Sequence, residues 1–128
     1  MLGEILERKP ALFSVTACTV IAILAVPVII PHMLHGYHMA HITLHIAGLT
    51  LAIFITTLAA SSHRRTKSRR MLISFLAFGC FAASEVVLLT DTAWPFLTSI
   101  GLLPLQELGH LLVFSALGLL ALAVFRND

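Results

Sequence analysis

Charged side chains are scarce in this chain. Lysine, arginine, aspartate and glutamate make up 11% of its 128 residues, against about a quarter in an ordinary soluble domain. Together with 59% hydrophobic residues and a mean hydropathy of +0.99, that shortage excludes a typical water-soluble fold and points to an integral membrane protein. Cysteine is nearly absent as well. Cys18 and Cys80 both lie inside apolar runs, so the chain carries neither a disulfide framework nor a CxxC redox or zinc motif. No GxSxG, HExxH or glycine-rich phosphate loop is present, and no internal repeat or low-complexity linker divides the chain.

What the sequence does have is long apolar runs. Ala11 to Ile30, Met39 to Ala60, Met71 to Thr90 and Leu105 to Phe125 each reach the roughly 20 residues that a helix needs to cross a bilayer core of about 30 Å. Little chain is left over, so residues 1–128 read as a single membrane domain. The expected fold is all-α, an integral membrane four-helix up-and-down bundle with short connections. The first run is long, lacks a clear small-residue cleavage site and precedes three further spans, which makes it a retained span rather than a cleaved signal.

Basic residues orient the spans. Arg8 and Lys9 precede the first, Arg64, Arg65, Lys67, Arg69 and Arg70 fall in SSHRRTKSRR, and Arg126 follows the last. Arginine and lysine near span ends stay cytoplasmic, so both termini are expected inside. The protein is thus expected in the cell membrane as a multi-pass protein. Its partners are the lipid bilayer, with anionic lipid on the cytoplasmic leaflet, and not nucleic acid. Gly, Ala, Ser and Thr spread through the spans suit close helix contact, which implies a homo-oligomer or a subunit of a larger membrane complex. The two outer connections are then the short PHMLHGYH, marked by Pro31 and Gly36, and the longer apolar DTAWPFLTSIGLLP, whose Trp94 suits the headgroup level.

Histidine is concentrated. HMLHGYHMAHITLH, residues 32 to 45, holds five of the seven, at the expected outer end of the second span. At about 100° per residue, His38, His41 and His45 fall within about 60° of one another, while His32 lies on the far side. Glu85 comes late in the third span, and Glu107 and His110, at i and i+3, open the fourth. A rise of about 1.5 Å per residue brings His45, Glu85 and His110 to a common depth. If the second and fourth helices face each other, His41 or His45 meets His110, with Glu85 arriving from the third. Ionisable groups within a span are costly and mark functional sites; near the surface His32, His35 and His38 read instead as rim or loop side chains, and His63 as solvated.

Two ligands fit this placement. Heme b would be held by His110 and either His45 or His41. Gly48 and Gly109 would leave room for the macrocycle, Phe78, Phe81 and Phe114 would wall it, and Glu107 or Glu85 would accept from an imidazole N–H. A copper or zinc ion would instead take ligands from His38, His41, His45, Glu85 and His110, with Met33 and Met39 adding sulfur that favours copper(I). Three histidines and a carboxylate also make an open catalytic zinc set, so an enzymatic role stays open. Transport is not expected, because the cytoplasmic halves of the spans offer only Ser, Thr and apolar residues. The third reading is a structural subunit whose His/Glu network fixes bundle packing.

From SSHRRTKSRR onward, MLISFLAFGCFAASEVVLL and LLALAVFRND resemble a group of small, functionally uncharacterised archaeal four-helix membrane proteins, in which a basic inner loop precedes a Met-Leu-rich span with a late carboxylate and a terminal span ends in an Arg-Asp-type tail. That resemblance covers the last half of the chain and implies an archaeal membrane, with no activity attached. In architecture the chain is also similar to one four-helix half of heme A synthase, which holds heme between histidines of its second and fourth helices and has an ExxH motif. ELGH, Glu107 to His110, copies the motif but on the fourth helix, so the likeness implies heme in a bundle and not the synthase reaction. The leading expectation is therefore a heme b protein of membrane electron transport, such as a small subunit of a redox complex.

Overall fold

The structure is a computed structural model that describes residues 9–33, 36–94, 96, 99, 100 and 103–126, with side chains for all of these except 32, 36–38, 99 and 100. Helix α1 spans Lys9–Leu24. Pro27 then has no N–H for the carbonyl four residues back, and its ring crowds that carbonyl. The helix widens into a π-helical turn, Ala25–Ile29, before one last α-helical turn, Ile30–His32. Helix α2 runs over Gly36–Thr66, α3 over Arg69–Ala93 and α4 over Leu105–Phe125. Within them, four stretches are long and apolar enough to cross a membrane: Lys9–Ile29, Met39–Thr66, Arg69–Ala93 and Leu105–Phe125.

Two connections differ from the expectation. The second span continues past Ala60 to Thr66, because SSHRRT contains no helix breaker and places Arg64 and Arg65 where the helix dipole favours positive charge. The basic loop thereby shrinks to Lys67 and Ser68. Lys67 adopts φ 55° and gives its N–H to the His63 carbonyl at 2.7 Å, a left-handed cap that closes α2. His63 Nδ1–H donates to the Ser68 carbonyl at 2.9 Å, which ties the end of α2 to the start of α3. The second difference lies between α3 and α4, where Ser99–Ile100 (β1) pairs antiparallel with Leu103–Pro104 (β2).

Packing follows small residues. Gly109, Ala116 and Ala123 recur every seven positions on α4 and are its buried residues beyond Leu105. Ala52 and Ala59 on α2, and Ala77 and Ser84 on α3, are buried at the same seven-residue spacing. A heptad stripe of small side chains lets helix backbones approach closely. A β-carbon at Gly109 would lie 2.7 Å from Leu88 Cδ2, so α4 rests directly on α3.

That arrangement corrects the expected order of helices around a closed core. Helix α3 packs along both α2 and α4, α1 packs against α2, and α2 and α4 share no more than marginal contact. The physical reason is that α4 buries one stripe only. Large apolar side chains elsewhere on it, such as Phe114 at 70% exposure, face outward. The four helices form an open row in sequence order. At the end that carries the histidine-rich turn, Val28, Ile42, Leu89 and Ala93 make a buried apolar cluster against which Leu24, Ile46 and Trp94 pack, so Trp94 joins this cluster.

A candidate His/Glu site between the second and third helices

The tight turn at Lys67 sets the register of α2 against α3. Gly48 lies nineteen residues before Lys67 and Glu85 eighteen after it, so at equal rise per residue the two reach the same height. The structure bears this out closely. A β-carbon on Gly48 would lie 2.8 Å from Glu85 Cδ and 2.9 Å from Oε1; the carboxyl fills the space that the missing side chain leaves.

One turn from Gly48 on α2, His45 Nδ1 lies 2.8 Å from Glu85 Oε2. The side chains of His45 and Glu85 are 15% and 13% exposed, and the buried Ile42 and Leu89 close the space toward the end of the hairpin. Since a carboxylate only accepts, His45 donates from Nδ1, and in the neutral ring its Nε2 then carries a lone pair. That lone pair faces a second imidazole. His45 Nε2 and His41 Nε2 are 3.3 Å apart, with ring centroids 4.7 Å apart and planes at 89°, and His41 is exposed. The result is a chain of three groups, from an exposed imidazole through a half-buried one to a carboxylate between helices. Without a ligand, His41 Nε2–H donates to His45 Nε2.

The remaining expected site residues stand elsewhere. His110 is exposed at the start of α4, and α4 shares no more than marginal contact with α2, the helix that carries His45. Glu107 is exposed one turn earlier; among the described residues it makes no hydrogen bond with His110. The spaces foreseen beside Gly48 and Gly109 for a macrocycle are taken by Glu85 and Leu88 of α3. Phe78 and Phe81 line an apolar cavity of about 170 Å³ with Ala77 and residues of α4, while Phe114 faces outward. The side chain of His38, like that of His32, and the whole of His35 lie outside the described residues. Among the described residues, no group of three or more His, Cys, Asp or Glu side chains is placed to hold a metal ion. What is assembled is a pair of imidazoles backed by a carboxylate.

Most hydroxyl groups in the spans are accounted for locally. Thr16, Thr43, Thr50, Thr56, Thr57, Thr90 and Ser115 each donate to the carbonyl four residues earlier, which satisfies them within their own helix. Sequence reasoning missed the contact of Gly48 with the Glu85 carboxyl. The nearly equal distances of the two residues from Lys67 were the signal that would have found it.

Compared with known proteins, the chain matches no family model, no curated protein and no solved structure. Its chemistry is therefore read from its own residues.

Proposed function

We propose that this is a multi-pass cell-membrane protein that binds a zinc or copper ion through His41 Nε2 and His45 Nε2, at the end of the bundle opposite the basic turn. One observation carries the reading: the 3.3 Å between the two Nε2 atoms. Two imidazole nitrogens at about 2.0–2.1 Å from a tetrahedral ion lie about 3.3–3.4 Å apart, so the pair needs little movement to ligate one ion. Glu85 supports the same assignment. Histidine ligands commonly give their other N–H to a carboxylate, which fixes the tautomer and raises basicity, and His45 does so through Nδ1. The exposure of His41 leaves further coordination positions open.

The test is calorimetric titration of zinc or copper into metal-free protein. Binding of about one equivalent is expected, weakened at least tenfold in His41→Ala and in His45→Ala and unchanged in His110→Ala. Absence of binding, or loss in His110→Ala alone, overturns the proposal.

Heme b in electron transport is the second reading, favoured by the exposure of His110 on α4. Heme there would be held by His110 and by a second imidazole supplied by another copy or by another subunit of a redox complex. A Soret band in protein purified from its own membrane, lost in His110→Ala, supports this reading. If neither metal nor chromophore is found and the histidine variants change only thermal stability, the network is a packing device.

A further inference from the structure

At the opposite end of α2, Thr56, Thr57, Ala60, Ser61, Arg64 and Arg65 surround, with Phe75 of α3, a cavity of about 340 Å³. We infer that this cavity is a binding site for the phosphate headgroup of an anionic phospholipid, held by Arg64, Arg65 and Ser61.

The donors in it have few competitors. Thr56 and Thr57 have committed their hydroxyl protons to the carbonyls of Ala52 and Ile53, so they present only lone pairs. Ser61, by contrast, makes no hydrogen bond among the described residues and keeps its O–H to donate. Arg64 and Arg65 are exposed, and among the described residues no ion pair engages either. Each guanidinium offers five N–H donors in a fork that suits phosphate oxygens. The surrounding charge has one sign, because Lys67, Arg69 and Arg70 follow within five residues of Arg65 and no acidic side chain lies in that stretch.

The shape favours a lipid over a soluble anion. Phe75 and Ala60 form an apolar wall on the membrane side of the arginines, and Leu72 and Leu76 stand exposed on α3 beside Phe75. A headgroup phosphate in the cavity can send its acyl chains along this surface. A basic pocket between helices at one end of a membrane domain is a recognised setting for anionic headgroups. The inference is independent of the His/Glu site, which lies at the other end of the same helix.

The experiment uses the full chain in a non-ionic detergent, titrated with phosphatidylglycerol or phosphatidylcholine and followed by native mass spectrometry. Phosphatidylglycerol should be retained about tenfold more strongly than phosphatidylcholine, and Arg64→Gln/Arg65→Gln should reduce it to the phosphatidylcholine level. Lys67→Gln/Arg69→Gln, which removes two charges outside the cavity, should change retention by no more than about twofold. Equal losses in the two double variants would show diffuse surface charge and overturn the site. So would equal retention of the two lipids. Millimolar inorganic phosphate forms the last arm: displacement of the lipid would identify a soluble anion as the ligand and reject the lipid assignment. Helical circular dichroism of each variant confirms that the fold compared is the same.

Discussion

Gly48 and Glu85 are complementary: the carboxyl of one occupies the volume where the other would carry a β-carbon, 2.8 Å from Glu85 Cδ. The same carboxyl accepts from His45 on the next turn, so the glycine sets the position of the acceptor. Gly48→Ala is expected to displace Glu85 and to cost about 1–3 kcal/mol, the range for overpacking a close contact. Thermal unfolding in detergent measures it. In a double-mutant cycle with Glu85→Ala the two losses should fall short of additivity by about 1 kcal/mol, because the second change empties the contested space. Full additivity would mean that the glycine acts through something other than the carboxyl.

Glu85 should tune metal binding without being a ligand. Its Oε2 is engaged by His45 Nδ1, so Glu85→Gln, which keeps a carbonyl acceptor, should weaken zinc or copper affinity less than Glu85→Ala does. The alanine variant should lose about ten- to hundredfold, the usual effect of removing a carboxylate behind a histidine ligand. Equal, complete loss of binding in both variants would instead make the carboxylate itself a ligand.

The α3–α4 contact makes a separate prediction. Gly109→Ala would put a methyl group 2.7 Å from Leu88 Cδ2 and should destabilise by about 1–3 kcal/mol. It should leave metal affinity unaltered, since α4 holds no part of the imidazole pair. Leu88→Ala, combined with it, should recover part of the loss on thermal melting. A change in metal affinity in Gly109→Ala would tie α4 to the site.

The expected sidedness, with the histidine-rich end outside, is open to labelling. Lysine and arginine near span ends stay cytoplasmic, so a Gly36→Cys variant should react with an impermeant maleimide in intact cells. Reaction only after permeabilisation would reverse the assignment of the two ends.

Much of the fold is written in the hydropathy of the chain, because the need for about 20 apolar residues per crossing leaves few ways to place four helices in so short a sequence. Helix ends were less legible. Ser61 to Thr66 read as loop because they are polar, yet helix formation depends on backbone tolerance as well as hydropathy, and nothing in SSHRRT forbids it. The common depth of His45 and Glu85 could be read by counting along the spans. Which helices are neighbours could not, since hydropathy says how deep a residue lies and nothing about its azimuth. The seven-residue recurrence of Gly109, Ala116 and Ala123 was the available clue. A single narrow stripe of small residues gives α4 one helix to lean on, and α3 takes that place.

The open row of helices also has a consequence in time. Its main helix–helix contacts join sequence neighbours, a pattern of local contacts that favours rapid assembly. The hairpin from Gly36 to Ala93 leaves the ribosome before α4 does, and it contains His41, His45 and Glu85 together. An ionisable side chain entering hydrocarbon alone is expensive. If the helices insert into a bilayer, as proposed, His45 and Glu85 would arrive on two antiparallel helices that present donor to acceptor, already matched before the last helix is made.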